Sequence, residues 1–297
     1  MAIETVLVPP RERLERAAIA AARAIDEVRI ALFHVVLRRM MPAARYERLA
    51  TLAASVAREV GEAIDVRGTG IVKRKGGRAN FATAADHAAE KAIIARLTRH
   101  DRSIPFLAEE SATKGARTAE RMWVVDPIDG TLNFSRAVPF YAVSIAYLED
   151  GRVRAAAIHA PRLGETFVAH ESGGATLNGS RIAVSTTRSL AQAFVLATPS
   201  RIAILRKHCA RLRTLGSATL EIAYTAAGRF DLFIHPVLGP WDIAAAGLIA
   251  REAGAAVLSL RTGEEAAWDE PRVIIGRRAL VRQALRTVPA LMRPAGR

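Results

Sequence analysis

Apolar and polar positions change their period along the chain, and those changes divide it. From Arg11 to Arg39, Ala, Arg and Glu crowd together without Gly or Pro, the composition of an amphipathic helix. It ends near Met40-Met41-Pro42, where proline disfavours continuation. A second helix is predicted from Ala43 to Val66. Arg67-Gly68-Thr69-Gly70 and the segment Lys73 to Arg78 then read as a glycine-rich basic loop. Good helix formers resume at Thr83-Ala84-Ala85-Asp86, with Thr83 or Asp86 as the cap.

Short β-type runs follow at residues 104–108, 122–125, 141–147, 154–160 and 166–169, separated by turn residues such as Glu149-Asp150-Gly151, and predict a sheet with hairpin connections. The second half alternates differently. Strands are predicted at 194–197, 232–234 and 256–258, with a basic helix near 202–212 and apolar helices over 219–227 and 243–253, the strand-and-helix alternation of an α/β unit. A boundary is therefore expected near residue 185. It separates an α+β part, residues 46–185, from an α/β part, residues 186–297, with residues 1–45 as a helical N-terminal extension.

Composition narrows the class. The chain has 297 residues, 51% of them hydrophobic, and a single cysteine. That excludes a disulfide-stapled miniprotein, a disordered tail and a collagen-like repeat, and leaves enough chain to bury a core without a structural metal. Lone Cys209 has no partner for an intramolecular disulfide, which fits a reducing compartment. The longest uncharged stretch near the start, Ile30 to Leu37, falls far short of the roughly 20 apolar residues of a membrane span. With no secretory pattern in residues 1–10, a cytoplasmic protein is the expectation.

Charge changes the picture in two places. The net charge is +14, and most of the excess lies in Arg201 to Arg213 and in Pro271 to Arg297, neither of which contains an acid. A basic surface steers anionic partners toward a protein, whether phosphorylated metabolites, nucleic acid or acidic lipid. Solvated helix faces carrying Arg in place of Lys fit the same numbers.

The segment Trp123-Val124-Val125-Asp126-Pro127-Ile128-Asp129-Gly130-Thr131 holds the densest chemistry. A buried strand delivers Asp126 at its end, Pro127 stiffens the exit, and Asp129 follows one tight turn later. Hard divalent cations want such oxygen ligands, and the same turn offers the Ile128 carbonyl and the Thr131 hydroxyl. Gly130-Thr131 opens a helix whose free N–H groups suit a phosphate. Taken alone, the two aspartates also fit a structural turn. Glu109-Glu110-Ser111 after another apolar run, and Asp242 at the start of an apolar helix, add further acids. Asp242 by itself fits an N-terminal helix cap as well.

Together the segments Asn80–Asp86, Leu107–Ser111, Asp126–Phe134, Gly216–Asp231 and Trp241–Gly254 resemble the inositol monophosphatase family. This family lies within the magnesium-dependent, lithium-sensitive phosphatases that include fructose-1,6-bisphosphatases. The resemblance implies a layered α/β/α/β/α sandwich of the sugar phosphatase type, with residues 46–185 as the metal-binding part and 186–297 on the substrate side. It further implies a Mg²⁺-dependent phosphomonoesterase, a homodimer, acting on a small phosphorylated metabolite such as inositol 1-phosphate. Histidinol phosphate, fructose-1,6-bisphosphate and 3′-phosphoadenosine 5′-phosphate are the alternative substrates, and a weakly active relative that binds nucleic acid or another polyanion is the alternative function.

Carried over by position, the resemblance implies that Glu109, Asp126 and the Ile128 carbonyl bind one magnesium, and Asp126, Asp129 and Asp242 a second. Thr131 and Glu109 would orient the attacking water, and Gly130 and Thr131 would hold the phosphate. Gly216, Ser217, Ala218 and His235 would line the substrate side, with Asn80 and Asp86 behind the metal ligands. Two positions depart from the family. Asn80 stands where relatives carry an outer aspartate that accepts from the threonine matching Thr131, which implies water activation weaker by about 10- to 100-fold. His235 stands where inositol phosphatases carry a glutamate, and a histidine charged near pH 6.5 would favour a substrate bearing a carboxylate or second phosphate. Lys73 and Lys75 match a loop that in the family brings a lysine toward the metals, and a solvated charge run reads equally well there.

Overall fold

A computed structural model describes residues 43–65, 72–74, 81–111, 113, 115–209 and 211–294. By compactness the chain divides into residues 1–45 and residues 46–297. The helix expected over Arg11–Arg39 lies outside the described residues, as do Asn80 and Lys75.

Helix α1 occupies 43–65, as its apolar spacing predicts. Strands β1 (Val72–Arg74) and β2 (Phe81–Thr83) form an antiparallel hairpin, so part of the segment expected as a basic loop, Lys73 included, is strand. Helix α2 follows at Ala84–His100. A seven-stranded sheet then takes β3 (Phe106–Ala108), β4 (Arg121–Asp129), β5 (Ala142–Glu149), β6 (Arg152–Ala160), β7 (Glu165–His170), β8 (Gly174–Leu177) and β9 (Ser180–Arg181) in chain order. Helix α3 (Thr131–Ser135) sits between β4 and β5.

The second half supplies β10 (Phe194–Ala197), α4 (Pro199–Leu205), β11 (Arg211–Arg213), α5 (Ala218–Ala226), β12 (Leu232–His235), α6 (Pro240–Glu252), β13 (Ala256–Ser259), β14 (Val273–Gly276) and α7 (Arg278–Thr287). Its sheet has the order β11-β10-β12-β14-β13. The basic helix expected over 202–212 stops at Leu205, and Arg211-Leu212-Arg213 becomes an edge strand parallel to β10. Three residues with charge at both ends carry no strand signal, yet charge is what an exposed sheet edge tolerates.

Side-chain alternation builds the layers. Trp123, Val125, Val143, Ile145 and Tyr147 face one way and pack on α1 and α2, with Trp123 and Tyr147 edge-to-face at 5.1 Å. Their neighbours Met122, Val124, Ala146 and Leu148 face the other way, onto α5 and α6. The far side of those two helices receives Leu196, Phe233, Val257 and Ile275 of the second sheet. The opposite face of that sheet packs Val195, Ile234, Leu258 and Ile274 against α4 and α7. Period-two strands buried on both faces thus produce the expected α/β/α/β/α sandwich. The central helices α5 and α6 are apolar nearly all round because sheet lies on both sides of them.

Candidate active site

Strand β4 does not end at Asp126, where the sequence suggests, but runs on to Asp129 with a break in its register against β5 between those two residues. Pro127 has no N–H to give to a ladder, and the bulge that results re-aims the strand. The Ile128 N–H donates to Asp126 Oδ1 at 3.1 Å, closing a short turn around the carboxylate. Asp126 and Asp129 are buried at 1% and 8% exposure.

Asp242 arrives from the other half. Helix α6 starts at Pro240, with Gly239 as its N-cap, and Asp242 Oδ2 accepts the Gly239 N–H at 2.7 Å. The capping role read from the sequence is therefore real, and it leaves the second oxygen of the carboxylate for other work. Carboxylate oxygens of Asp126, Asp129 and Asp242 lie within 4.8 Å of one another. Burial pushes all three upward. Asp126 stands well above the usual carboxylate range, first through desolvation and then through the charges of Glu109, Asp129 and Asp242. Asp129 is raised by desolvation against the hydrogen bonds it accepts, and Asp242 is pushed up to about 8.

Glu109 follows β3 and is not part of that tight trio, although its charge acts on both Asp126 and Asp242. Its N–H donates to the Val125 carbonyl at 3.2 Å. Glu90 of α2, buried at 6% exposure, accepts from the Glu110 N–H at 3.1 Å and from the Ser111 hydroxyl, so it holds the bend that presents Glu109. Sequence reading passed over Glu90. It lies four residues after Asp86 on α2, hence on the same helix face, and that spacing was the available signal.

The Thr131 hydroxyl lies 3.1 Å from Asp86 Oδ1 and 3.1 Å from the Ile128 carbonyl. Asp86 is fully buried. Asp86, in the first turn of α2, is thus a carboxylate within hydrogen-bond reach of the Thr131 hydroxyl. The loss of activation expected from Asn80 concerns a residue outside the described ones.

Gly130, at φ +90°, is the N-cap of α3, and a Cβ there would meet the Phe140 carbonyl at 2.9 Å. Helix α3 begins at Thr131, so its first N–H groups have no intrahelical acceptor. Asn133 ties the two halves together, its Nδ2 donating at 2.8 Å to the carbonyls of Phe140 and Leu215. Asn133→Ala would orphan both carbonyls, and a loss of about 2–3 kcal/mol is expected. A thermal or urea melt checks it.

Gly216, Ser217 and Ala218 line a cavity of about 250 Å³, together with His235, Thr198 and Thr214. Asp129 and Asp242 form part of its wall. The Ser217 hydroxyl donates to Asp129 Oδ2, which also accepts the Thr219 N–H at 2.7 Å. Glu221 supports this loop from beneath, accepting the Leu215 and Gly216 N–H groups at 2.5 and 3.1 Å, and its burial raises it to about 7. Arg229 is committed elsewhere, paired with Glu165 and lying over the Tyr224 ring.

His235 differs from the charged state expected of it. Desolvation lowers it to about 4, and its Nδ1 faces the Val237 N–H at 3.3 Å. A ring accepting at Nδ1 is neutral and carries its proton on Nε2. The residue is therefore a neutral donor at the cavity and does not attract an anion by charge.

A layered α/β sandwich with an all-oxygen acidic centre at the junction of its two halves defines a phosphatase of the sugar phosphatase type. The chain belongs to the inositol monophosphatase family, whose model matches residues 45–292. It is 38% identical over 201 residues to a fructose-1,6-bisphosphatase/inositol-1-monophosphatase of Thermotoga maritima, covering 66% of this chain and 77% of the relative. It is 39% identical over 200 residues to the Nus factor SuhB of Salmonella typhimurium, covering 63% and 74%. Among solved structures, the Thermotoga maritima IMPase TM1415 superposes with a TM-score of 0.77 at 32% identity, over 82% of this chain and 98% of that one.

Proposed function

We propose that this phosphatase is Mg²⁺-dependent and hydrolyses a small polyol or sugar phosphate, such as inositol 1-phosphate, by attack of an activated water. The observation that carries the reading is the convergence of buried Asp126 and Asp129 with half-buried Asp242, their carboxylate oxygens within 4.8 Å of one another, beside the Thr131–Asp86 pair. Two buried carboxylates and a half-buried third, with Asp126 raised by the charges of the other two, favour a cation between them, and a donor set made only of oxygen fits a hard divalent ion. Each aspartate has one oxygen held by its own fold, from Ile128 N–H, Thr219 N–H and Gly239 N–H respectively, and a second to give.

Glu109, Asp126 and the Ile128 carbonyl would hold one Mg²⁺, and Asp126, Asp129 and Asp242 the other. When bound, such ions lower the pKa of water and neutralise the charge of a phosphate and its leaving oxygen. The chain's own groups do the positioning. Thr131 directs its proton to Asp86, which leaves its lone pairs to accept from a water, and Glu109 completes the water's orientation. The first N–H groups of α3, at Gly130 and Thr131, face the phosphate. Gly216, Ser217 and Ala218 bound the space for the alcohol part, and His235 donates from Nε2 to an acceptor on it.

His235→Ala is expected to raise KM roughly tenfold with kcat almost unchanged, because it removes a contact made equally in ground and transition states. A fall in kcat at constant KM would show that His235 acts in the chemical step instead. The reading includes a cytoplasmic homodimer, supported by family membership and by the buried free thiol of Cys209. Among the described residues no helix is long and apolar enough to cross a membrane.

The test is phosphate release with and without Mg²⁺ from inositol 1-phosphate, histidinol phosphate, fructose-1,6-bisphosphate and 3′-phosphoadenosine 5′-phosphate, with millimolar lithium as inhibitor. Magnesium-dependent, lithium-inhibited release supports the reading, and the ranking names the substrate. No release from any of them by folded protein would favour the polyanion-binding alternative, for which the basic segments 201–213 and 271–297 and the relative named as a Nus factor speak.

A further inference from the structure

A second cavity, of about 490 Å³, lies at the other end of α6 and shares no residue with the one lined by Asp129, Asp242 and His235. Asp242 stands on the first turn of that helix and Arg251 on the last, roughly 14 Å further along its axis. A volume of this size falls within the range of small-molecule sites.

The lining is sorted by chemistry. One part is apolar and flat, with Trp268 beside Val153, Leu248, Ala266 and Ala267. The remaining part is charged, and its acids are already engaged. Glu252 accepts from the N–H groups of Ser172 and Gly174 at 2.9 and 2.7 Å. Glu171 pairs with Arg154, and Glu265 with Arg278. The cations are not so engaged. Arg251 donates to the Ala266 carbonyl at 2.6 Å and forms no ion pair closer than 4.0 Å among the described residues. The side chain of Arg152, exposed at the β5–β6 turn, makes no hydrogen bond or ion pair among the described residues. Arg251 also feels the charge of Glu265, yet both guanidinium groups keep N–H donors to spare beside the Trp268 indole.

Gly247 occupies the middle of α6, where glycine costs helix stability, and a Cβ there would meet Arg251 Nη1 at 3.3 Å. Burial also works against the charge of Arg251, lowering its pKa, and an anion beside it would reverse that penalty.

We propose that this cavity is a second ligand site, separate from the phosphatase centre, that takes a planar aromatic anion of nucleoside monophosphate size. The ring stacks on Trp268, and the anionic group is held by Arg251 and Arg152 through charge-assisted hydrogen bonds, which guanidinium groups make in parallel pairs. The apolar floor excludes water from the stacked face, and the engaged glutamates repel the anion less because each already carries a donor.

Adenosine 5′-monophosphate is the probe, titrated calorimetrically into the full chain with magnesium chelated, so that binding does not depend on the phosphatase reading. Adenosine tests the plane without the charge, and ribose 5-phosphate the charge without the plane. One equivalent of adenosine monophosphate is expected to bind, with both controls at least about tenfold weaker. Arg251→Met and Trp268→Leu should each weaken it by about tenfold and leave magnesium-dependent phosphate release unchanged. Arg152→Ser, at an exposed position that does not threaten folding, should weaken it in the same direction. Absence of saturable binding overturns the proposal. So does equal binding of ribose 5-phosphate, or an affinity that Arg152→Ser and the folded members of the other pair leave unchanged.

Discussion

Asp126→Asn is expected to abolish magnesium-dependent turnover while making the metal-free protein more stable at pH 8. Asp126 is the acid shared by both proposed cation positions, and its ionisation is costly in the metal-free fold, because it is buried and crowded by Glu109, Asp129 and Asp242. Asparagine keeps the shape and the acceptor for the Ile128 N–H but removes that charge. The pH dependence has a definite sign. Asp242 is raised from 3.8 to about 8, so between those values the folded chain binds more protons than the unfolded one. Metal-free stability therefore falls as pH rises through that window, and the loss persists above it. Melting curves from pH 4 to 9, with and without Mg²⁺, read this out. Wild type should lose midpoint with rising pH and recover it with Mg²⁺, whereas the variant should do both far less. Undiminished turnover in Asp126→Asn would remove the metal assignment, and a metal-free midpoint that climbs with pH would remove its electrostatic basis.

Thr131→Ala is expected to lower kcat by about 10²- to 10⁴-fold with much smaller effects on KM and on Mg²⁺ binding. The hydroxyl is the link between Asp86 and the place where a water would stand, since its oxygen lies 3.1 Å from Asp86 Oδ1 and, with the proton turned that way, its lone pairs remain as acceptors. Asp86→Asn should produce a fall of the same kind, because an amide in that place can turn its NH₂ toward Thr131 and reverse the hydroxyl. The two changes act on one link, so the double variant should be little worse than the more severe single one. Thr131→Ser should restore most of the rate. Additive losses, or a Thr131→Ala variant with normal kcat, would show that the pair is structural.

Much of the fold is legible in sequence because its signals are local. The runs that become β4, β5, β6 and β10 alternate or stay apolar over the length of a strand, and α1, α2, α5 and α6 carry helix formers over several turns. Edge strand β11 and strand β14, with helix α7 after it, are less legible. The first is three residues with two arginines, and in the last the arginines mask the apolar stripe. The acids could be listed from their positions after apolar runs, because a strand end or a helix start is where a chain can present a carboxylate.

Tertiary structure alone decided what those residues do to one another. Asp126 and Asp242 are more than a hundred positions apart, and only the packing of α5 and α6 between the sheets brings them within reach. That Thr131 meets Asp86, 45 positions earlier, could not be told from spacing, and only the fold brings the first turn of α2 to the start of α3. The charge of His235 follows from burial, which no pattern of neighbours along the chain reports. Local periodicity writes the elements because it is a property of adjacent residues, whereas charge state and pairing depend on what the folded chain excludes from water.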